Sequence, residues 1–197
     1  MKPEDYGYVL KNNLCLFLSG PLSQWWGGFR NQNSEFFVEE EDFFNLITSY
    51  TDAIKLETYL EDAGGMKFNC CEQWMMACKA ALFDDTDTLD KIFNTTDPYT
   101  QKNLGRQVNN YDQEIWNAAK QEIVLVGNVY KFEQNLELEN FLKQFNEHTL
   151  FAEGNEKDSV WGIGLDVHDP LALDINNWKG ENLLGDTIRT VRRNFLH

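Results

Sequence analysis

The stretch CCEQWMMACKAALF, residues 70–83, carries a carboxylate and an amine within an otherwise apolar helical pattern. Glu72 and Lys79 are seven positions apart, nearly two helical turns, so the two side chains share one face of the predicted helix. Burial raises the pKa of a carboxyl group and lowers that of an amine. Both shifts favour proton transfer, and a neutral lysine can attack a carbonyl-like carbon. The alternative is the solvated edge of an amphipathic helix, and periodicity alone favours this alternative.

Two further segments carry side chains suited to binding a nucleotide. In NLGRQV, Arg106 follows a glycine, and an arginine near a helix N-terminus can hold a phosphate, although a plain surface arginine is commoner. In the segment 150–164, Trp161 can stack on a base or a ribose while Asp158 bonds the ribose hydroxyls. The Gly-x-Gly that begins at Gly162 lacks the rest of a dinucleotide fingerprint.

Composition limits the classes of function. The 197 residues suffice for one sizeable domain, and 42% of them are hydrophobic, which is typical of a globular chain. The formal net charge is -15, so the surface argues against extended, sequence-independent binding of DNA or RNA. A local basic pocket for one phosphorylated ligand remains compatible with this charge.

Neither a metal site nor a membrane segment is predicted. The three histidines are scattered, none lies near a cysteine, and no C-x-x-C pair occurs, so we expect reduced, partly buried thiols and no bound metal. The cysteines are Cys15, Cys70, Cys71 and Cys78. The chain has no signal-like N-terminus and no apolar run of about 20 residues. We therefore expect a soluble, cytoplasmic protein.

The residue pattern predicts a mostly α fold with a few short strands, in one domain over residues 1–197. The predicted strands are 14–18 and 36–38, and the predicted helices are 70–83, 86–94, a short one opened by Pro98, 112–127, 134–146 and 181–196. Residues 147–179 are expected to be irregular. The segment 39–63 begins with the acidic run EEED and has no clean period, so a hairpin and an elaborated insertion both remain open.

Six segments in chain order resemble motifs of the NADAR family, the YbiA-like N-glycosidases. They are GPLSQWW, CCEQWMMACKAALF, LGRQV followed by Trp116, KFEQNLELENFL, FAEGNEKDSVWGIGL and WKGENLLGDTIRTVR. Gln24 stands where the family usually has Asn, and Gln73 where it usually has His, which unlike Gln can carry a proton. Residues 40–63 resemble an insertion where the family commonly has a short turn.

The resemblance implies a single-domain YbiA-like fold and hydrolysis of a ribosyl N-glycosidic bond, with Glu72 and Lys79 as the catalytic pair. The substrate-binding residues that it implies are Ser23, Gln24, Arg106, Trp116, Asp158, Trp161, Gly162 and Asn182. Trp116, taken as a lone aromatic residue inside a helix, is otherwise more often part of a core. The resemblance requires no metal or cofactor, and the expected partner is a ribosylated or ADP-ribose-containing nucleotide, including ADP-ribosylated nucleic acid, without a stable protein partner.

Three functions follow from this resemblance. The first is removal of ADP-ribose from ADP-ribosylated guanine, and the second is cleavage of phosphoribosylamino-pyrimidine intermediates of riboflavin synthesis. The absence of a fused riboflavin-pathway domain and an insertion able to enlarge the pocket favour the first, although the acidic surface would repel DNA. The third is an ADP-ribose-binding module without catalysis, which the presence of Glu72 and Lys79 disfavours.

Overall fold

The computed structural model describes residues 1–60 and 65–196. They form two compact units, one made of residues 1–23 together with the chain from residue 135 onward, and the other of residues 24–134. Within the described residues there are eight α-helices and five short strands, which confirms the predicted mostly α fold. None of the described helices is both long and apolar enough to cross a membrane.

The elements follow one another along the chain with short connections. In order they are β1 (Val9–Lys11), β2 (Leu14–Phe17), β3 (Phe36–Val38), α1 (Glu40–Thr48), α2 (Ile54–Leu60), β4 (Met66–Phe68), α3 (Cys71–Leu82), α4 (Thr86–Phe93), α5 (Pro98–Gly105), α6 (Gln113–Glu133), α7 (Leu136–Lys143), β5 (Leu150–Glu153) and α8 (Leu183–Asn194). Four single 3-10 turns complete the regular structure.

All the predicted helices occur in the structure, although several of their bounds differ. Helix α6 extends to Glu133 instead of 127, because Asn128, Lys131 and Phe132 continue its buried face. The segment left open between a hairpin and an insertion forms the helices α1 and α2, with its acidic run in the first turn of α1. Positions 61–63 of the predicted insertion lie outside the described residues. Strand β5 lies within residues 147–179, so the expectation that this segment is irregular was wrong at 150–153, and strands β1 and β4 had no prediction.

Helix α3 is the centre of the unit formed by residues 24–134. Eleven of its 12 residues are buried, and α1, α4, α5 and α6 pack around it, which explains why it is apolar on every side. Trp74 fixes α3 against α6, since its indole N–H donates to the carbonyl oxygen of Ile123 at 2.6 Å. A Cβ at Gly127 would lie 2.3 Å from Trp74 Cδ1, so the glycine permits this close approach.

Aspartates begin three of the four helices that pack around α3, namely α4, α5 and α6. Asp85 accepts from the N–H of Thr88 at the start of α4, and Asp97 accepts from that of Thr100 at the start of α5. Asp112 accepts from Glu114 and Ile115 in the same way at the start of α6. Each carboxylate satisfies N–H groups that a helix leaves unpaired at its N-terminus.

The other unit is built on a three-stranded sheet in the order β1-β2-β5. Strands β1 and β2 are antiparallel, whereas β2 and β5 are parallel with Leu14 opposite Leu150. Helix α8 packs on β5, and a Cβ at Gly185 would lie 2.1 Å from the carbonyl oxygen of Phe151, so a glycine is needed at this contact. A small apolar core joins the sheet to the irregular segment that precedes α8, and comprises Leu16, Ala152, Ile163, Leu165, Val167 and Ala172.

Candidate active site

Glu72 lies in the first turn of α3 and is almost completely buried, with 2% of its surface exposed. Its backbone N–H donates to the carbonyl oxygen of Gln24 at 3.0 Å, and the indole Nε1–H of Trp25 donates to its Oε2 at 3.1 Å. The partial positive charge at a helix N-terminus also favours a carboxylate in this position. This burial contradicts the solvated-edge interpretation for Glu72 and leaves a fixed carboxylate suited to proton transfer.

The side-chain amide of Gln24, whose backbone carbonyl accepts from Glu72, makes no hydrogen bond within the described residues. Its side chain is buried, with 7% exposed, and neither Nε2 nor Oε1 has a hydrogen-bond partner among residues 1–60 and 65–196. Leaving such a group buried and unpaired costs about 1–3 kcal/mol. A ligand that offers both a donor and an acceptor would remove this cost. The predicted role of Gln24 in binding substrate is therefore compatible with its surroundings.

Gln73 stands at the position of the usual histidine, and both polar atoms of its side chain are hydrogen-bonded to the backbone. Its Oε1 accepts from the backbone N–H of Asn69 at 2.8 Å, and its Nε2 donates to the carbonyl oxygens of Ile92 at 3.1 Å and Thr95 at 3.2 Å. These bonds join the start of α3 to the end of α4. Gln73 therefore anchors the helix that carries Glu72 and has no free group for chemistry.

Lys79 lies half-buried near the other end of α3, against two aromatic rings. Its Nζ is 4.3 Å from the ring centroid of Tyr111 and 5.5 Å from that of Trp116. Burial, and then the positive charge of Arg106, lower the pKa of Lys79 below its ordinary value. No carboxylate of the described chain forms an ion pair with this amine. Lys79 is thus easier to deprotonate than an exposed lysine.

Arg106 caps the C-terminal end of α5 and is exposed. The helix N-terminus expected beside it begins α6, where the carboxylate of Asp112 already accepts from Glu114 and Ile115. Of the two features expected to hold a phosphate, the structure therefore provides the charge of Arg106 but no helix N-terminus with free N–H groups. Its guanidinium has no ion-pair partner within the described part of the chain.

Asp158, Trp161 and Gly162 lie in one tightly bonded loop of the other unit. The Oδ1 of Asp158 accepts from the backbone N–H groups of Val160 at 3.0 Å and Trp161 at 2.8 Å, so half of this carboxylate shapes the loop. The Trp161 side chain is half-buried. A Cβ at Gly162 would lie 2.8 Å from the carbonyl oxygen of Glu153, which explains the glycine by packing.

Asn182 and Ser23 are buried in the same unit. The Oδ1 of Asn182 accepts from the N–H of Glu153 at 3.2 Å and its Nδ2 donates to the carbonyl oxygen of Phe151 at 2.9 Å, so this amide ties the start of α8 to β5. Ser23 ends a 3-10 turn. A cleft of about 420 Å³ lies alongside, lined by Leu150, Ile175, Trp178, Gly180, Glu181, Asn182, Asp186 and Arg189. Contact of Asn182 with the substrate stays a prediction.

The four cysteines are free and buried, and three of them belong to α3 or its N-cap. Burial raises the pKa of Cys70 to about 12 and that of Cys71 to about 11. Within residues 1–60 and 65–196, no group of three or more His, Cys, Asp or Glu is arranged to hold a metal ion.

The predicted site residues divide equally between the two units. Residues 24–134 contain Gln24, Glu72, Lys79, Arg106 and Trp116, whereas Ser23, Asp158, Trp161, Gly162 and Asn182 belong to the other unit. The first unit joins Gln24 to Glu72, and Lys79 to Trp116. Sequence reasoning missed Trp25 and Tyr111. Only the proximity of Trp25 to Gln24 in GPLSQWW could have indicated its role, and no local signal indicated Tyr111.

Several known proteins are similar to this chain. An N-glycosidase of Acanthamoeba polyphaga mimivirus is 35% identical over 139 residues, which are 71% of this chain and 81% of that protein. The protein irg-1 of Caenorhabditis elegans is 32% identical over 157 residues, which are 76% of this chain and 73% of that protein.

A structural comparison and a family model give the same assignment as these sequence similarities. The NMR structure of Escherichia coli YbiA matches with a TM-score of 0.59 at 18% identity, and the match covers 97% of this chain and 89% of that one. This confirms the predicted YbiA-like fold. The model of the NADAR domain family matches residues 19–196, which include parts of both compact units. The chain therefore belongs to the NADAR domain family.

Proposed function

We propose that this chain is an N-glycosidase that removes ADP-ribose from ADP-ribosylated guanine by hydrolysing the ribosyl N-glycosidic bond. Membership of the NADAR family and similarity to a viral protein named as an N-glycosidase support this class of reaction. The observation that carries the proposal is the buried carboxylate of Glu72, bonded to a segment whose Gln24 amide has no partner in the described chain. The backbone hydrogen bond from Glu72 to Gln24 thus joins a group for proton transfer to the residue that carries this amide.

Glu72 is the proton shuttle of the proposed reaction. It relays a proton from the nitrogen of the N-glycosidic bond to the ring oxygen as the bond between C1 and that oxygen breaks, and later relays the protons lost by the attacking amine to the base nitrogen as the bond between C1 and that nitrogen breaks. Its fixed position in the first turn of α3 suits this task, because a catalytic proton transfer requires hydrogen-bond distance to the reacting atoms. Water supplies the oxygen of the released sugar aldehyde.

Lys79 is the proposed nucleophile. Its neutral amine attacks C1 of the opened ribose, the base departs with its proton, and the resulting imine is hydrolysed by water to regenerate the amine. The lowered pKa of Lys79, caused by burial and then by Arg106, increases the fraction of neutral amine at a given pH. The rings of Tyr111 and Trp116 restrict where this side chain can move.

The remaining assignments concern binding. Gln24 would pair with the edge of the base through its free donor and acceptor, and Arg106 would hold a phosphate. By their positions in the family motifs, Trp161 would stack on an aromatic ring and Asp158 and Asn182 would bond ribose hydroxyls. Ser23, Trp116 and Gly162 are assigned to substrate binding by the same reasoning.

A comparison of substrates tests this function. The protein is incubated with an ADP-ribosylated guanine oligonucleotide and, separately, with a phosphoribosylamino-pyrimidine, and the products are identified by mass spectrometry. Release of ADP-ribose from the oligonucleotide, lost in Glu72→Gln, is expected. Turnover of the pyrimidine alone would replace the proposed substrate, and tight binding of ADP-ribose without turnover of either would identify a binding module.

A further inference from the structure

Trp25 connects the carboxylate of Glu72 to a small aromatic and cationic surface of the same unit. While its Nε1–H donates to Glu72, its ring centroid lies 6.4 Å from that of Phe29, and Nζ of Lys102 lies 5.7 Å from its ring centroid. Helix α5 also packs on this segment, since a Cβ at Gly28 would lie 2.0 Å from Cγ of Pro98. The direction of the indole N–H is therefore fixed by contacts on other sides of the ring.

The two hydrogen bonds between this segment and Glu72 act on different parts of one residue. The carbonyl oxygen of Gln24 holds the backbone of Glu72 at 3.0 Å, and the indole of the next residue holds its carboxylate at 3.1 Å. An indole offers a single donor and no acceptor, so it favours the charged carboxylate over the protonated acid. Hydrogen bonds to charged groups are also stronger than those between neutral groups.

We propose that Trp25 is a positioning residue: its indole N–H fixes the orientation of the Glu72 carboxylate and maintains its charged form for proton transfer. This inference rests on the function proposed for Glu72. Phenylalanine at this position would keep the ring contacts with Phe29 and Lys102 and lose only the donor. The role therefore belongs to the indole nitrogen and not to aromatic character.

Few other titratable groups face this pair within residues 24–134. Cys70 at the N-cap of α3 and Cys71 in its first turn have raised pKa values, through burial, of about 12 and about 11, so both thiols are protonated at neutral and acidic pH. Lys102 of α5 lies over the Trp25 ring, and the buried Lys131 of α6 lies near Cys71. A pH-dependent change at Trp25 can be assigned to Glu72, and not to these other groups, if it disappears when the Glu72 carboxylate is removed.

Kinetics of Trp25→Phe test the inference at the level of catalysis. We expect kcat to fall about 10- to 100-fold with little change in KM, and the acidic limb of the rate profile to move to higher pH because the carboxylate has lost a donor. Trp74→Phe is the matched control, since it also removes an indole bond, but one to the carbonyl oxygen of Ile123. It should lower thermal stability without moving the pH profile. A raised KM with unchanged kcat in Trp25→Phe would instead assign Trp25 to substrate stacking.

An NMR titration tests the same contact without any substrate. The six tryptophans of the chain give six indole N–H resonances, and Trp25→Phe identifies the one from Trp25. This resonance should shift as the pH is lowered within the folded range, and the shift should disappear in Glu72→Gln. A titration that persists in Glu72→Gln, or a Trp25 resonance independent of pH, overturns the positioning role. If the titration occurs as expected while no substrate is turned over, the proposed function fails and the contact stands.

Discussion

Glu72 and Lys79 lie on one face of α3, about 10 Å apart along its axis, and their end groups have different neighbours. The carboxylate of Glu72 accepts from Trp25, whereas the amine of Lys79 lies over the ring of Tyr111. A substrate that uses both groups must therefore extend along the helix, or the long lysine side chain must leave the ring. Each group can be tested by itself.

Replacing Glu72 with glutamine should abolish most turnover. The amide keeps the size of the side chain but cannot exchange a proton, so we expect a loss of about 100- to 10,000-fold in kcat. Activity is measured by release of ADP-ribose, and circular dichroism checks the fold. Glu133→Gln, which removes an exposed carboxylate at the end of α6, is the control and should retain full activity. Full activity in Glu72→Gln would remove the assignment of this site.

The amine of Lys79 should be trapped as an imine. Borohydride reduction during turnover is expected to give a covalent adduct at Lys79, detected by peptide mass spectrometry. Absence of the adduct, with activity intact, would leave a mechanism in which Glu72 activates water directly.

Arg106 should control the pH at which Lys79 becomes reactive. Its charge contributes, after burial, to the lowered pKa of Lys79, so Arg106→Gln should raise this pKa and move acylation of the amine to higher pH. Competitive labelling with an acylating reagent across a pH series measures the shift directly. Arg106→Lys keeps the positive charge and should leave the labelling profile near that of the wild type. An identical profile in Arg106→Gln would mean that burial alone determines the shift.

Gln24 and Gln73 should respond in opposite ways to the same substitution. Gln24→Met removes a buried amide without partners, so the free energy of unfolding should rise by about 1–3 kcal/mol while substrate binding weakens. Gln73→Met instead removes the side-chain hydrogen bonds to the backbone of Asn69, Ile92 and Thr95. It should lower the free energy of unfolding by about 1–3 kcal/mol. Urea denaturation measures both. Loss of stability in Gln24→Met would show that its amide has a structural partner.

The cap at Asp85 should stabilise the chain in a pH-dependent manner. Burial raises its pKa, but hydrogen bonds from Asn109 and Thr88 outweigh this effect and bring it below the ordinary value of 3.8. A depressed pKa in the folded state means that the contribution is complete above pH 3.8 and is lost as the pH falls through the folded value. Asp85→Ala should therefore lower stability by about 1–2 kcal/mol at pH 7, with a difference that shrinks in acid. Thermal denaturation at pH 7 and pH 3 tests this.

The local part of this structure could be read from the sequence, and the non-local part could not. The period of α3 and the caps at Asp85 and Asp112 are encoded within a few residues, and the predicted bounds of α3 differ from the observed ones by one residue at each end. The pairing of Leu14 with Leu150 in the parallel sheet depends on chain segments far apart, so β5 gave too short a signal. Composition cannot indicate such pairs.

The same distinction applies to the candidate site. The family motifs identified Glu72 and Lys79, but the bond from Trp25 spans 47 positions and no spacing rule predicts it. Gln73 shows the opposite case, because the sequence marked it as a departure from the family and the structure gives it three backbone partners. The Gln73 amide has hydrogen-bond partners and the Gln24 amide has none in the described chain, and this difference depends on tertiary packing.

The reactivity of the Cys70, Cys71 and Cys78 thiols can be used to measure local unfolding of α3. Their raised pKa values and burial keep them protonated and inaccessible in the folded chain, so an alkylating reagent can react only when the helix is exposed. The rate of alkylation then measures how often the helix that carries Glu72 and Lys79 separates from its neighbours. Bound substrate should slow this rate, so the rate of alkylation at these three cysteines would report binding.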